Sequence, residues 1–198
     1  MTRTLAVLCA LTLAACGSAS KAGPKTTNPP LAKPDPATQP APPAEDEDVV
    51  VDGFTLKIKK LGFQITMTES PWEGKTDKSS GSIRIVLARP DLGALLLLIP
   101  IRADGMTAQS IAEDQQTKAA QQPDLSAVTA VAAESKGRYA FTGDRTEDGK
   151  TSRTYLGVLP HPTIAGAFIV AVGQMPADKA DAFLKDVRAS LDTVAPLP

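Results

Sequence analysis

Apolar and polar residues alternate in short stretches between residues 49 and 198, a pattern that predicts β-strands. The first stretches begin at Phe54 and Phe63, and the whole series covers 54–58, 63–67, 82–89, 127–133, 138–143, 152–159 and 168–174. Residues 94–101 are almost continuously aliphatic, which is typical of a strand covered on both faces of its sheet. Asp148-Gly149 is a turn signal between two of these strands.

Two segments have helical spacing instead. Thr107 fits the N-cap of a helix that runs to about Gln121 and stops before Pro123. Pro176 fits the first turn of a second helix. The apolar residues of this second helix share one face, and they are Ala180, Phe183, Leu184, Val187, Leu191 and Val194. The elements predict an α+β fold, in which two helices pack on an antiparallel sheet of about six to seven strands.

Residues 1–15 form a separate apolar segment. Arg3 gives a short positive end, and the stretch from Leu5 to Ala15 is apolar except for Thr12. A helix that spans a membrane needs about 20 apolar residues, so this stretch is too short to be a membrane anchor. It has the length of the hydrophobic region of a secretory signal, and residues 1–15 are therefore predicted to be a cleaved signal peptide.

The end of this segment identifies the type of signal. Leu13-Ala14-Ala15-Cys16 resembles the lipobox of bacterial lipoproteins. The resemblance implies cleavage between Ala15 and Cys16 and transfer of a diacylglyceryl group to the Cys16 thiol, so the mature chain would be a palmitate-bearing lipoprotein. An ordinary signal peptide with an incidental cysteine is the alternative. In these lipoproteins, an aspartate directly after the lipidated cysteine implies retention in the inner membrane. Here that residue is Gly17. The resemblance thus implies the outer membrane, with the domain facing the periplasm, and the outer face of the cytoplasmic membrane is the alternative.

The composition changes after the lipobox and again at residue 49. Residues 17–48 contain eight prolines among 32 residues, and such a stretch cannot bury enough surface to fold. Residues 16–48 are thus predicted to be the lipidated cysteine and a disordered, proline-rich linker, which ends in the acidic run from Glu45 to Asp48. Residues 49–198 have the size of a single globular domain.

Charge and cysteine content exclude several classes of function. Residues 49–198 contain 17 Lys and Arg against 17 Asp and Glu, without a basic run interleaved with aromatic residues, so nucleic-acid binding is not expected. Cys9 leaves with the signal and Cys16 is modified by lipid. The folded domain therefore has no thiol for catalysis, metal binding or redox chemistry.

Three short motifs resemble one known family. They are Gly62-Phe63-Gln64-Ile65 in a strand, Pro71-Trp72 after it, and Ala189-Ser190-Leu191 near the end of the last helix. Together with the order of elements, they look like the PsbP-like fold, to which lipoproteins of the DcrB type are similar. The resemblance implies an α/β sandwich with helices packed on an antiparallel sheet, and a binding or assembly role without catalysis. No functional residue is carried over with it.

Two positions are candidates for binding. Trp72, the only tryptophan, follows a proline in a predicted loop. Aromatic residues often anchor interfaces, so Trp72 is a candidate partner contact, although such a residue more often covers an open edge of the core. Residues 95–99 either form a central strand covered by helices or line a cavity for an apolar ligand.

Three further patterns have structural explanations. Gly149-Lys150-Thr151 lacks the earlier glycine of a phosphate loop, since that position is Asp144, and a hairpin turn is predicted. His161 is the only histidine and lies between two prolines, which predicts an exposed loop residue rather than a metal ligand or general base. Asp144, Glu147 and Asp148 do not have calcium-loop spacing and are predicted to be solvated turn residues.

These patterns favour a non-enzymatic protein without cofactor or metal. We expect it to contact the membrane through the lipid on Cys16 and to work by binding other envelope proteins. A carrier for an apolar small ligand is the alternative. An enzyme that uses carboxylates alone would have to rely on residues such as Glu69 and Glu73, whose spacing in a loop fixes no geometry.

Overall fold

The computed structural model describes residues 49–67, 72–77 and 84–198. The strands in this part of the chain are β1 (Val49–Asp52), β2 (Thr55–Ile58), β3 (Phe63–Thr66), β4 (Glu73–Asp77), β5 (Arg84–Arg89), β6 (Ala94–Arg102), β7 (Leu125–Ser126), β8 (Ala132–Ala133), β9 (Tyr139–Glu147), β10 (Lys150–Pro160), β11 (Ala167–Pro176) and β12 (Ala195–Pro196). The α-helices are α1 (Ala108–Ala120) and α2 (Ala180–Leu191).

The strands form two antiparallel sheets. The small sheet has the order β1-β2-β3-β12, and the large sheet has the order β4-β5-β6-β11-β10-β9-β7, with β8 also paired to β9. The α+β class predicted from the sequence is confirmed. The number of strands is larger than the predicted six to seven: in the described part of the chain, the large sheet alone has eight strands, and a second sheet of four strands packs on it.

The large sheet lies between two different layers. On one side, which we call the α2 side, the small sheet and α2 cover it and enclose the main core, in which Phe63, Leu96 and Phe183 are buried. On the other side, the α1 side, α1 packs mainly over β9 and β10. A smaller core forms there around Ile111, Val158 and Val170. The two sides of the large sheet are therefore covered to different extents.

The two helices begin close to the predicted residues. Thr107 caps α1: its hydroxyl accepts the backbone N–H of Ser110 at 3.1 Å, and the Ser110 hydroxyl accepts the Thr107 N–H at 3.0 Å. Pro176 precedes a short 3-10 turn at Ala177–Lys179, and α2 follows directly. Of the residues predicted to share an apolar face, those from Ala180 to Leu191 are buried in α2, whereas Val194 lies beyond the end of the helix and is half-buried.

One predicted strand is wrong. Residues 127–133 do not form a continuous strand: only Ala132–Ala133 (β8) is a strand within this range, and β7 ends before it at Ser126. Ala127 has a φ of 49°, in the left-handed region that a strand cannot accommodate. β1 and β4, in contrast, are strands that the sequence pattern did not indicate.

Candidate functional site

The two faces of β6 have different surroundings. Ala94, Leu96 and Leu98 alternate along the strand and are buried in the main core on the α2 side. Leu95 and Leu97 point to the α1 side, where the Leu95 side chain is 42% exposed and Leu97 is half-buried. The strand is therefore apolar on both faces although only one face is fully covered.

The aliphatic surface on the α1 side extends across three strands. Val86 of β5 lies directly opposite Leu97, and Leu97 lies directly opposite Val172 of β11. All three side chains are half-buried. We call Val86, Leu95, Leu97, Ile99 and Val172 the β6 surface.

The β6 surface joins the smaller core at one end and polar residues at the other. Ile99 and Val172 pack against the core beneath α1, whereas Val86, Leu95 and Leu97 belong to neither core. Gln174 lies directly opposite Leu95, and its side-chain amide donates to the Ser152 hydroxyl at 3.3 Å. The β6 surface is thus bordered at this end by a hydrogen-bonded pair of polar side chains.

The prediction that residues 94–101 form a strand covered on both faces of its sheet is therefore wrong in part. The main core covers one face, but α1 lies over β9 and β10, next to the β6 surface rather than on it. A run of aliphatic residues has the same sequence pattern whether its second face is covered within the chain or by another molecule.

Trp72 lies at the edge of the main core. Its ring packs against Phe183 with a centroid distance of 5.6 Å, and the Arg89 guanidinium lies 5.5 Å from the ring centroid. Arg89 is itself buried and donates two hydrogen bonds of 2.9 Å to Asp91 and one of 3.0 Å to Asp186. The hydrogen bonds from Arg89 lower the pKa of the Asp91 carboxyl and keep it ionised. Trp72 is half-buried, and its role as a partner contact stays a prediction.

A buried ionic cluster lies where β9, β10 and α2 meet, and the sequence did not indicate it. Arg138 is almost fully buried and donates to Glu134 at 2.6 Å and to Asp192 at 2.9 Å. The Tyr155 hydroxyl donates to Glu134 at 3.0 Å, and Arg188 donates to Glu134 at 2.8 Å. Burial raises the pKa of the Tyr155 hydroxyl far above its ordinary value, which keeps it a donor. The charges of the two arginines and the two carboxylates balance. The bonds among them link α2 to the large sheet.

His161 is buried, and the prediction of an exposed loop histidine is wrong. The ring packs edge-on against Phe63 at a centroid distance of 5.5 Å. Its Nδ1 accepts the backbone N–H groups of Thr163 and Ile164, each at 3.3 Å, and the Thr163 hydroxyl lies 3.2 Å away. The prolines on either side fix the direction of the loop but do not decide which way the side chain points.

The residues around the β9–β10 turn have structural roles. Asp148 and Gly149 both have positive φ and form the two-residue turn between Glu147 and Lys150, so the predicted hairpin turn is confirmed. Asp144 forms an ion pair with Arg153, which lies directly opposite on β10. Glu147 and Asp148 are exposed, as predicted, whereas Asp144 is half-buried.

Several predicted positions lie outside the described residues. Ala15, Cys16, Glu69 and Pro71 are among them, and the signal peptide, the lipidation site and the linker stay predictions. Within the described ranges, no helix is both long and apolar enough to cross a membrane. Over the same ranges, no group of three or more His, Cys, Asp or Glu side chains could hold a metal ion.

Comparison with known proteins gives similarity at the level of structure. No protein-family model and no curated protein matches the chain. It is similar to cyanobacterial PsbP (CyanoP) from Synechocystis sp. PCC 6803, with 14% identity, a TM-score of 0.47, and coverage of 72% of this chain and 91% of that one. It is also similar to LpqN, involved in cell envelope biogenesis of Mycobacterium tuberculosis, with 14% identity, a TM-score of 0.39, and coverage of 69% and 91%. With both TM-scores below 0.5, the PsbP-like resemblance stays a prediction.

Proposed function

We propose that this protein is a lipid-anchored cell-envelope protein that works, without catalysis, by binding other envelope proteins through the β6 surface. The observation that carries this proposal is the row formed by Val86, Leu97 and Val172, beside which Leu95 is 42% exposed. Exposed apolar residues that form a contiguous patch mark interaction sites, whereas single ones are ordinary.

The anchor and spacer come from the sequence. A lipid on Cys16 would hold the domain at a membrane, and residues 17–48 would give it reach, since proline-rich chain extends by about 3.1 Å per residue. We propose the outer membrane facing the periplasm because Gly17 follows the lipidated cysteine. The outer face of the cytoplasmic membrane is the alternative.

The shape of the β6 surface favours a protein partner over a small apolar ligand. Ligand sites enclose most of the ligand surface. The residues of the β6 surface instead lie on the open face of a sheet, and Leu95 is 42% exposed. A flat aliphatic row is better matched by an apolar patch on another protein.

A role without catalysis is supported by how the polar side chains are used. Arg89, Arg138 and Arg153 are each held by carboxylates, and the Nδ1 atom of His161 is directed at its own loop. In these arrangements the charged groups support the fold.

The surface is tested by placing a photo-reactive amino acid at Leu95 of the full chain in the cells that produce it. We expect a cross-link to one reproducible envelope protein, and we expect the additional change Leu97→Asp to abolish it. The matched control is the same amino acid at Ile164, which is equally exposed at 44% but lies in the β10–β11 connection. Cross-links to lipid alone would favour the carrier, and equal cross-linking at both positions would contradict the proposal.

The anchor is tested separately with Cys16→Ala. We expect the variant to lose labelled lipid and to leave the membrane fraction, while the parent chain retains both. A variant that stays with the membrane and still carries lipid would contradict the lipobox assignment, whatever the result at Leu95.

A further inference from the structure

We propose that one end of the folded domain docks on the surface of the membrane, where the side chains of Met106 and Ile164 enter the apolar part of the bilayer. The docking rests on the lipid anchor of the proposed function, because the anchor keeps the domain within reach of a bilayer. It is independent of the β6 surface, since Leu95 and Leu97 lie towards the other end of β6.

Three connections between elements meet at this end of the domain. They are the 3-10 turn at Lys59–Leu61 between β2 and β3, residues 103–107 between β6 and α1, and residues 161–166 between β10 and β11. The Ala103 N–H donates to the Gly166 carbonyl at 2.9 Å. A Cβ atom at Gly62 would lie 3.7 Å from the Thr163 hydroxyl oxygen. The three connections therefore adjoin, and we call them the entry end.

The chain enters the folded domain at the entry end. Val49, the first residue of β1, lies directly opposite Ile58, and the 3-10 turn begins at the next residue. The predicted linker at 17–48 joins the domain here. At about 3.1 Å per residue, such a linker confines the domain near the bilayer without fixing its orientation. A second contact becomes intramolecular under this confinement, so a weak one suffices to orient the domain.

The entry end exposes two apolar side chains on adjoining connections. Met106 and Ile164 are each 44% exposed. The Ile164 N–H donates to Nδ1 of the buried His161 at 3.3 Å, and the Ile164 carbonyl accepts the Ala167 N–H at 3.2 Å. The Met106 N–H donates to the Ala103 carbonyl at 3.1 Å. Because both turns are already held by hydrogen bonds, docking needs little further ordering of the chain.

The small apolar area at the entry end favours lipid over a protein partner. A specific protein interface buries about 800 Å² on each partner, and two partly exposed side chains fall far short of that. A bilayer accommodates single projecting side chains, and binding strength there follows the apolar area inserted.

The charged side chains of the entry end are compatible with a bilayer surface. Lys59 and Lys60 are exposed, and a lysine at an interface places its aliphatic stem along apolar groups and its ammonium among the polar ones. Asp104 pairs with Arg102 at 3.2 Å. The linker ends in the acidic run Glu45–Asp48, so we expect apolar insertion, rather than attraction to anionic lipid, to carry the contact.

The test is quenching of a fluorescent label by lipid, in the full lipidated chain reconstituted in phosphatidylcholine vesicles. Lipid on Cys16 leaves the mature chain without a free thiol, so Ile164→Cys provides a single labelling site. The matched control is Phe54→Cys, because Phe54 is 58% exposed in the β1–β2 turn, at the opposite end of the small sheet. Phosphatidylcholine with a nitroxide on its acyl chain should quench the label at position 164 and leave the label at position 54 unchanged.

A second substitution tests whether Met106 shares the contact. In the chain labelled at position 164, Met106→Asp should lower the ratio of docked to undocked domain by about tenfold, because the burial of one apolar side chain is lost. Val51→Asp introduces the same charge at a residue that is 63% exposed and lies near Phe54. This variant should leave the quenching unchanged.

Flotation with the vesicles separates this proposal from the anchor. A chain that does not float would overturn the anchor and the docking together. A chain that floats but shows equal quenching at both positions, or none at position 164, would overturn the docking alone. Equal effects of Met106→Asp and Val51→Asp would also overturn it. A lipid contact at Ile164 leaves its use as the control for Leu95 intact, because that control concerns cross-links to protein.

Discussion

The two sides of the large sheet use similar aliphatic residues but bury them differently. On the α2 side, Leu96 and Leu98 are buried beneath the small sheet and α2. On the α1 side, Leu95 and Leu97 lie on the same strand but stay partly exposed, because α1 packs over β9 and β10. Hydrophobicity along a strand therefore does not reveal which face the chain itself covers.

Polar groups are also distributed differently between the sides. The α2 side includes the ionic cluster around Arg138, where removal of one partner would leave buried charge. On the α1 side, polar residues such as Gln174 lie at the margin of an apolar surface. We infer that the α2 side determines stability and that the α1 side is available for binding.

Glu134→Ala should have one of the two largest effects on stability. The change removes the acceptor shared by Arg138, Arg188 and Tyr155 and leaves the buried Arg138 charge with one carboxylate partner, Asp192. We expect a loss of about 3 kcal/mol in the free energy of unfolding, measured by chemical denaturation. The control is Glu113→Ala on the exposed surface of α1, which should cost no more than about 0.5 kcal/mol. Equal losses for the two variants would contradict the structural role of the cluster.

Leu96→Ala compared with Leu95→Ala tests the two faces of β6 directly. Leu96 is fully buried, and its truncation should cost about 3 kcal/mol through lost burial and the cavity left behind. Leu95 is 42% exposed, and its truncation should cost less than about 1 kcal/mol. The same denaturation experiment measures both changes. If Leu95→Ala were as costly as Leu96→Ala, an uncovered β6 surface would be ruled out.

The sequence predicted what local patterns determine. The Thr107 cap, the apolar face of α2 and the Asp148-Gly149 turn are each specified within a few residues, and each is present in the structure. Most of the strands were likewise predicted from the local alternation of apolar and polar residues. These features suffice for the α+β class.

The sequence did not predict what depends on distant residues. Arg138 and Asp192 are 54 positions apart, and no local pattern indicates that they form an ion pair. The direction of the His161 ring depends on Phe63, which comes from the other sheet. Likewise, whether α1 covers β6 or its neighbours depends on how the helix is placed across the sheet. The β6 surface therefore had to be found in the structure.

The comparison of Gly157→Ala with Gly143→Ala tests how rigidly the side chains are packed around two glycines of the large sheet. A Cβ atom at Gly157 would lie 2.5 Å from the Tyr155 hydroxyl oxygen and 2.9 Å from the adjacent ring carbon. Tyr155 cannot move freely, because it is buried and bonded to Glu134. We expect a loss of about 2 kcal/mol, typical of an overpacked core, in the same denaturation assay.

Gly143 provides the matched control. A Cβ atom there would meet the ends of the Leu125 and Val128 side chains at 3.3 Å. Both side chains are half-buried and have room to adjust, so Gly143→Ala should cost less than half as much as Gly157→Ala. The reverse order would contradict a rigid packing around Tyr155.

The smallest effect should be the pH dependence that His161 contributes. Burial lowers the pKa of His161 from its ordinary value of 6.5. Protonation would also place a hydrogen on Nδ1, where the Thr163 and Ile164 N–H groups already donate. The folded protein therefore favours the neutral ring.

The direction of the pH effect follows from this preference. Above pH 6.5 the ring is neutral in both states, and its contribution to stability is fully present. As the pH falls below 6.5, the unfolded chain takes up the proton first, so the free energy of unfolding decreases until the pH has passed through the lowered pKa of the folded state. Because one proton is involved, the slope cannot exceed about 1.4 kcal/mol per pH unit.

His161→Gln retains an acceptor but does not titrate. As the pH falls, the unfolding free energy of the parent should therefore decrease more than that of the variant. Changes caused by the carboxylates are the same in both proteins and cancel in the difference. A difference that is constant from neutral pH to pH 5 would show that the ring does not titrate differently in the two states, and Nδ1 would then not be the buried acceptor of the Thr163 and Ile164 N–H groups.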